Sequence, residues 1–253
     1  MLNYIKSEWF RTFHRKYLYI TLGCLSAVII ATAIILRINE TDLLDVTGSL
    51  GTFLLSVVIS VMSAGYYLTL LIADMIFTDE YKHQTLKNTV SYGTSRVKIY
   101  MGKLISSMMA GMLVLAVIIA VTIAASLLIL GMDAQFTEVL TQTMLPKILA
   151  FLPLWMAGVA MGIMLLFFFK NTAASFAFLG IAFVLPMVLN YLRALYPVFG
   201  TIRDLMVVSK LNLVSSSNMV TGSLMADCWI TGLAAVLIYT LIGALVFSRK
   251  EIK

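Results

Sequence analysis

LISSMMAGMLVLAVIIAVTIAASLLIL, residues 104–130, carries no charged side chain. A bilayer core is crossed by about 20 apolar residues in a helix. Backbone in lipid must satisfy its own hydrogen bonds, which a helix does internally. The stretch therefore reads as a transmembrane helix. The same criterion selects five further spans: Tyr17 to Leu36, Leu50 to Ile76, Ile148 to Phe169, Thr172 to Leu192 and Cys228 to Phe247. The expected fold class is an all-α membrane protein with six transmembrane helices, forming one membrane domain over residues 1–253.

Composition agrees with the spans. The chain is 61% hydrophobic and 12% charged, against roughly 25% charged in an ordinary soluble domain. So little charge cannot cover a water-facing surface. Cys24 and Cys228 each lie in or beside an apolar block, which excludes a disulfide framework and a short-spaced metal motif. The net charge of +6 comes from residues beside the spans and not from an aromatic-interleaved polar face, so the anionic surface of the lipid bilayer, and no nucleic acid, is the expected partner.

Short loops rich in Lys and Arg stay cytoplasmic. Thirteen of the 18 basic residues fall on one side: Lys6, Arg11, Arg15, Lys16, Lys82, Lys87, Arg96, Lys98, Lys103, Lys170, Arg249, Lys250 and Lys253. Arg37, Lys147, Arg193, Arg203 and Lys210 fall on the other. Both termini are expected in the cytoplasm, in keeping with an even number of spans.

Before the first span, Leu2, Ile5, Trp9 and Phe13 recur at helical spacing among basic residues. Residues 1–16 therefore read as an amphipathic helix lying in the membrane interface, anchored by Trp9, Phe13, Arg15 and Lys16. The most polar stretch, FTDEYKHQTLKNTVSYGTSRVKIYMGK at residues 77–103, reads as two cytoplasmic helical pieces. Asp79 and Glu80 suit the positive start of the first piece. Gly93 suits a helix end, and Ser95 a side-chain cap for the second. Residues 193–227 form a long external loop with apolar content unusual for free loop, consistent with external or re-entrant helices.

The familiar membrane chemistries lack their residues. Gly102-Lys103 is followed by Leu104 and preceded five residues earlier by Val97, so no phosphate-binding loop is present. His14 and His83 both fall outside the spans, where an intramembrane zinc or serine hydrolase could not use them. Ion-coupled carriers need charges at membrane depth. Asp74 and Asp227 sit at span ends and read as interfacial carboxylates. Gly158 and Gly162 share a face of the fourth span and read as a helix-packing surface. The 16 methionines read as packing and lipid-facing residues. No catalytic, metal or substrate-binding residue is assigned.

The loop after the second span resembles that of the ABC type-2 permeases, the six-span membrane subunits of ABC exporters. The matching residues are Asp79-Glu80-Tyr81-Lys82, Thr85-Leu86-Lys87-Asn88, Gly93-Thr94-Ser95-Arg96 and Gly102-Lys103. The resemblance extends to the whole layout of interfacial helix, spans and long last external loop. It implies that Phe77 to Val90 is a coupling helix, with Asp79, Glu80, Tyr81, Lys82, Thr85, Leu86 and Lys87 contacting a separate ABC ATPase. It also implies that ATP and Mg are bound by that partner and not by this chain, which is no enzyme itself. Two permeases per assembly follow, the second a copy of this chain or a related one. Spans without charges suit an amphipathic cargo, with peptides such as antimicrobial peptides the best match, in a bacterial plasma membrane. Two other classes stay open: a membrane sensor or assembly scaffold without transport, and an ion-coupled secondary transporter.

Overall fold

The computed structural model describes residues 2–39, 50–82, 95–131, 134–169 and 172–249. No strand occurs among them. The chain opens with α1 (Leu2–Phe13), turns at His14 and Arg15, and enters α2 (Lys16–Ile38). The second span is a pair, α3 (Leu50–Gly65) and α4 (Leu68–Lys82). The third is α5 (Arg96–Ala125), closed by a π-helical turn over Ser126–Leu130. The fourth joins α6 (Ala134–Val139), a π-helical turn at Leu140–Met144 and α7 (Leu145–Phe168). The fifth runs through α8 (Thr172–Leu179), a π-helical turn at Gly180–Val184 and α9 (Leu185–Leu192). Two short helices, α10 (Pro197–Asp204) and α11 (Val207–Ser216), precede the last span, α12 (Gly222–Arg249).

Among the described residues five helical segments are long and apolar enough to cross a bilayer, and the bent α3–α4 pair makes a sixth when counted as one broken span. The protein is a multi-pass, all-α membrane protein. Its centre is the fourth span, in which 83% of the most apolar window is buried, against 11% in the first span, 22% in the fifth and 17% in the sixth. The outer faces of those three spans remain apolar and uncovered, as a lipid-facing surface requires.

Small residues explain the central position of α7. Gly158 lies so close to α4 that a Cβ there would stand 2.6 Å from both the Thr69 hydroxyl and the Tyr66 ring. One turn on, a Cβ at Gly162 would stand 3.1 Å from the Ala73 Cβ. Close approach of backbones is the main source of helix attraction in lipid, where no hydrophobic effect operates between spans.

Several boundaries differ from the sequence reading. The second span is not one rod from Leu50 to Ile76, because α3 and α4 meet at 53°. At the bend Tyr66 and Tyr67 donate their N–H groups to Ser63 and Ala64, the tighter three-residue pattern. Trp155 of α7 fills the space beside Gly65, and its indole N–H donates to the Met62 carbonyl at 3.2 Å. The fourth span begins well before Ile148. Its polar first turns are tolerated because Thr141 returns its hydroxyl to the Thr137 carbonyl at 2.8 Å. Lys147, assigned to an external flank, is buried in this helix, its ammonium 3.4 Å from the Ser215 carbonyl in the last turn of α11. The sixth span starts at Gly222 and not Cys228, since the Thr221 hydroxyl accepts the Leu224 N–H at 3.4 Å.

Candidate functional site: a charged node at the basal end

One end of the bundle gathers α1, the foot of α4, the start of α5 and the end of α12. Arg96 donates to the Ser248 carbonyl at 3.0 Å, which sets the start of the third span beside the end of the sixth. We call this the basal end. Beneath it three spans converge on Phe167 of α7, whose ring centroid lies 4.5 Å from Phe77, 5.0 Å from Tyr100 and 4.4 Å from Phe247. Such offset and edge-on ring contacts favour a defined geometry over a sliding one.

On this aromatic floor sits an ion pair. Glu8 of α1 and Lys103 of α5 approach to 3.7 Å, with side chains 1% and 0% exposed. Glu8 also accepts from Arg11 at 3.2 Å. The Lys103 ammonium lies 3.5 Å from the Ile76 carbonyl of α4 and 5.9 Å from the Phe77 ring centre. Arg15, at the turn into α2, donates to the Met75 carbonyl one residue earlier in α4. Two cations, from different parts of the chain, thus bind consecutive carbonyls of the same helix. Buried charge is tolerated only when paired and hydrogen-bonded, so α1, α4 and α5 are joined by contacts that cannot be loosened singly.

The residues singled out from the sequence fall around this node in distinct ways. Trp9 and Phe13 stack on one side of α1 with ring centroids 4.8 Å apart, both partly buried. Arg15 is in the node itself. Lys16 opens α2 and is exposed. Gly158 and Gly162 seat α4 on α7, away from the charges. Asp79, Glu80, Tyr81 and Lys82 belong to the last described turn of α4, while Thr85, Leu86 and Lys87 lie outside the described residues.

Two expectations are corrected. Asp79 and Glu80 do not open a new helix, because α4 passes through Phe77 to Lys82 without interruption. Nothing in Ile76 to Lys82 breaks a helix, since Gly and Pro are absent there. Ser95 occupies the cap position before α5 but its side chain accepts no helix N–H. The helix starts there two turns before the apolar run at Leu104, and the Arg96 bond to Ser248 holds its first turn instead.

Glu8 was not visible as a candidate among the basic and apolar residues of its helix. One signal does mark it: it is the sole acidic residue before Glu40. It also stands three residues from Ile5 and four from Thr12, on the edge of the apolar face, where a carboxylate is out of place unless something pairs with it.

The bent second span and the small-residue fourth span that seats it belong to a multi-pass, all-α membrane protein. The chain matches the ABC-2 family transporter proteins over residues 4–188, and it belongs to that family. It is a permease subunit of an ABC transporter, the membrane component that works with an ABC ATPase and is not that ATPase. No curated protein matches it in sequence.

Proposed function

We propose that the chain is the membrane half of an exporter that moves an amphipathic cargo, best fitted by a peptide of the antimicrobial kind, out of a bacterial cell or its plasma membrane. In this reading the basal end and both termini face the cytoplasm, following the excess of Lys and Arg there. ATP and Mg reside on two ABC ATPase subunits, and two permeases, identical or related, form the path. The segment from Phe77 to Val90 docks on the ATPase.

The observation that carries this reading is the Glu8–Lys103 node at the foot of α4. The helix that leads into the docking segment is fixed to α1 and α5 by charge and to α7 by glycine contact. Movement of the docked segment would then tilt α4, α1 and α5 together and not merely flex a loop. ATP can shift such an equilibrium only through its different affinity for two states, and the ATPase supplies that difference. The mostly uncharged spans suit a cargo with a large apolar surface.

The test is purification of the tagged chain in mild detergent from its native cells, followed by reconstitution of what copurifies into vesicles. Stoichiometric recovery of an ATPase and ATP-dependent movement of an amphipathic peptide supports the proposal. Intact chain recovered reproducibly with no ATPase favours the scaffold. Flux driven by an ion gradient in the chain alone favours a secondary transporter.

A further inference from the structure

At the opposite, distal end, the fifth and sixth spans barely touch and leave a cavity of about 450 Å³ between them. Ligand pockets commonly measure about 300–1,000 Å³. Its walls are apolar, with Ile181 from the fifth span, Ala234 and Ile238 from α12, and Leu205 from the turn between α10 and α11. Tyr66, Thr231 and Tyr239 supply the few polar groups. Leu205, Ala234 and Ile238 are exposed, so the cavity opens sideways between two candidate membrane spans whose outer faces are apolar and uncovered.

A second cleft, of about 310 Å³, adjoins the first and shares Ala182 and Val208 as walls. Its character differs: Asn190, Arg203, Ser209 and Asn212 line it, and among the described residues no carboxylate does. Along the fifth span it reaches Asn190, eight residues beyond Ala182 and about 12 Å nearer the distal end at 1.5 Å per residue. The wall between the two is the π-helical turn Gly180–Val184, held by the Tyr67 hydroxyl donating to the Ala182 carbonyl at 3.5 Å. Single π-helical turns widen a helix locally and recur at functional sites.

We propose that these adjoining cavities are one site for a membrane lipid with an anionic headgroup. A hydrocarbon chain lies between the fifth and sixth spans, and the headgroup lies against Arg203, Asn190 and Asn212. The polarity runs in the direction a lipid of the distal leaflet requires, with the head toward the bilayer surface and the chain toward its middle. A cation in a cleft whose described lining holds no carboxylate selects negative charge, and guanidinium suits a phosphate oxygen pair. This inference does not depend on the cargo or on export.

Binding of fluorophore-labelled phosphatidylglycerol and phosphatidylcholine to the full chain in mixed micelles tests it. The wild type should hold phosphatidylglycerol at least fivefold more tightly. Arg203→Gln should bring that preference within twofold and leave phosphatidylcholine unchanged. Ala234→Trp, at an exposed position, should weaken both lipids at least fivefold with an unaltered melting temperature, and Ile238→Trp serves if that variant does not fold. Equal binding of the two lipids by the wild type, or indifference to both kinds of substitution, would overturn the proposal. So would an Ala234→Trp variant that changes oligomeric state while lipid binding persists, which would make this face a contact between permease copies. An amphipathic peptide that binds where neither lipid does would also sink it.

Discussion

Glu8 and Lys103, ninety-five positions apart in the chain, form a buried ion pair at 3.7 Å that ties α1 to the third span. Removing one member of a buried pair typically destabilises by about 3–5 kcal/mol, whereas replacing both with apolar groups is often neutral. Arg11 and the Ile76 carbonyl soften the loss here, so Glu8→Leu and Lys103→Leu should each fall at or below the lower end. Thermal unfolding in detergent should show both single variants melting lower, with Glu8→Leu combined with Lys103→Leu recovering much of the loss. Strict additivity in that double-mutant cycle would mean that the pair is not coupled.

The two glycines of α7 face unequal neighbours. A Cβ at Gly158 meets the fully buried Tyr66 ring and the Thr69 hydroxyl at 2.6 Å, while one at Gly162 meets the Ala73 methyl at 3.1 Å. Overpacking a close contact destabilises by about 1–3 kcal/mol. Gly158→Ala should therefore lower the melting temperature clearly, and Gly162→Ala by a smaller amount. Leu at either position should prevent recovery of folded protein. The reverse order of the two Ala variants would show that α4 does not sit on α7 in this register.

Trp155 and Gly65 make a coupled pair at the bend of the second span. Loss of the indole bond to the Met62 carbonyl in Trp155→Phe should cost about 0.5–1.5 kcal/mol. Gly65→Ala places a methyl in the Trp155 ring, so it should destabilise the wild type more than it does a Trp155→Phe background, where the ring is shorter. Equal effects in both backgrounds, measured by thermal unfolding, would show that the tryptophan does not shape the bend.

These contacts mark where the sequence stops being legible. Residues 104–130 declare a span because no charge interrupts them, and in the other apolar runs the one charge is Asp74, close to an end of the second. The bend at Gly65 to Leu68 is hidden because SAGYYLTL carries neither a charge nor a proline. Its cause is a tryptophan that sits far along the chain. The first turns of the fourth span are hidden for the opposite reason. Thr141, Gln142, Thr143 and Lys147 read as loop, and only the Ser215 carbonyl and local hydroxyl bonds make helix acceptable there. Glu8 needed its partner Lys103 to be recognisable. Hydropathy reports what a segment prefers, and these features are set by what it meets.

The segment proposed to dock on the ATPase yields the sharpest functional prediction. α4 is rigidly seated up to Phe77, whose ring packs on Phe167, and its helix continues through Asp79 to Lys82. A charge reversal beyond that seat should alter docking on the ATPase without disturbing the membrane fold. Glu80→Lys is therefore expected to reach the membrane at the wild-type level, melt normally and leave ATP hydrolysis by the copurified ATPase in place, while cargo export falls at least tenfold. Combined removal of the charges at Lys82 and Lys87 should act in the same direction. Hydrolysis and export measured on the same vesicles separate the outcomes. Export that stays at the wild-type level in both variants would remove this segment from the coupling path, and parallel loss of insertion would mark these residues as structural.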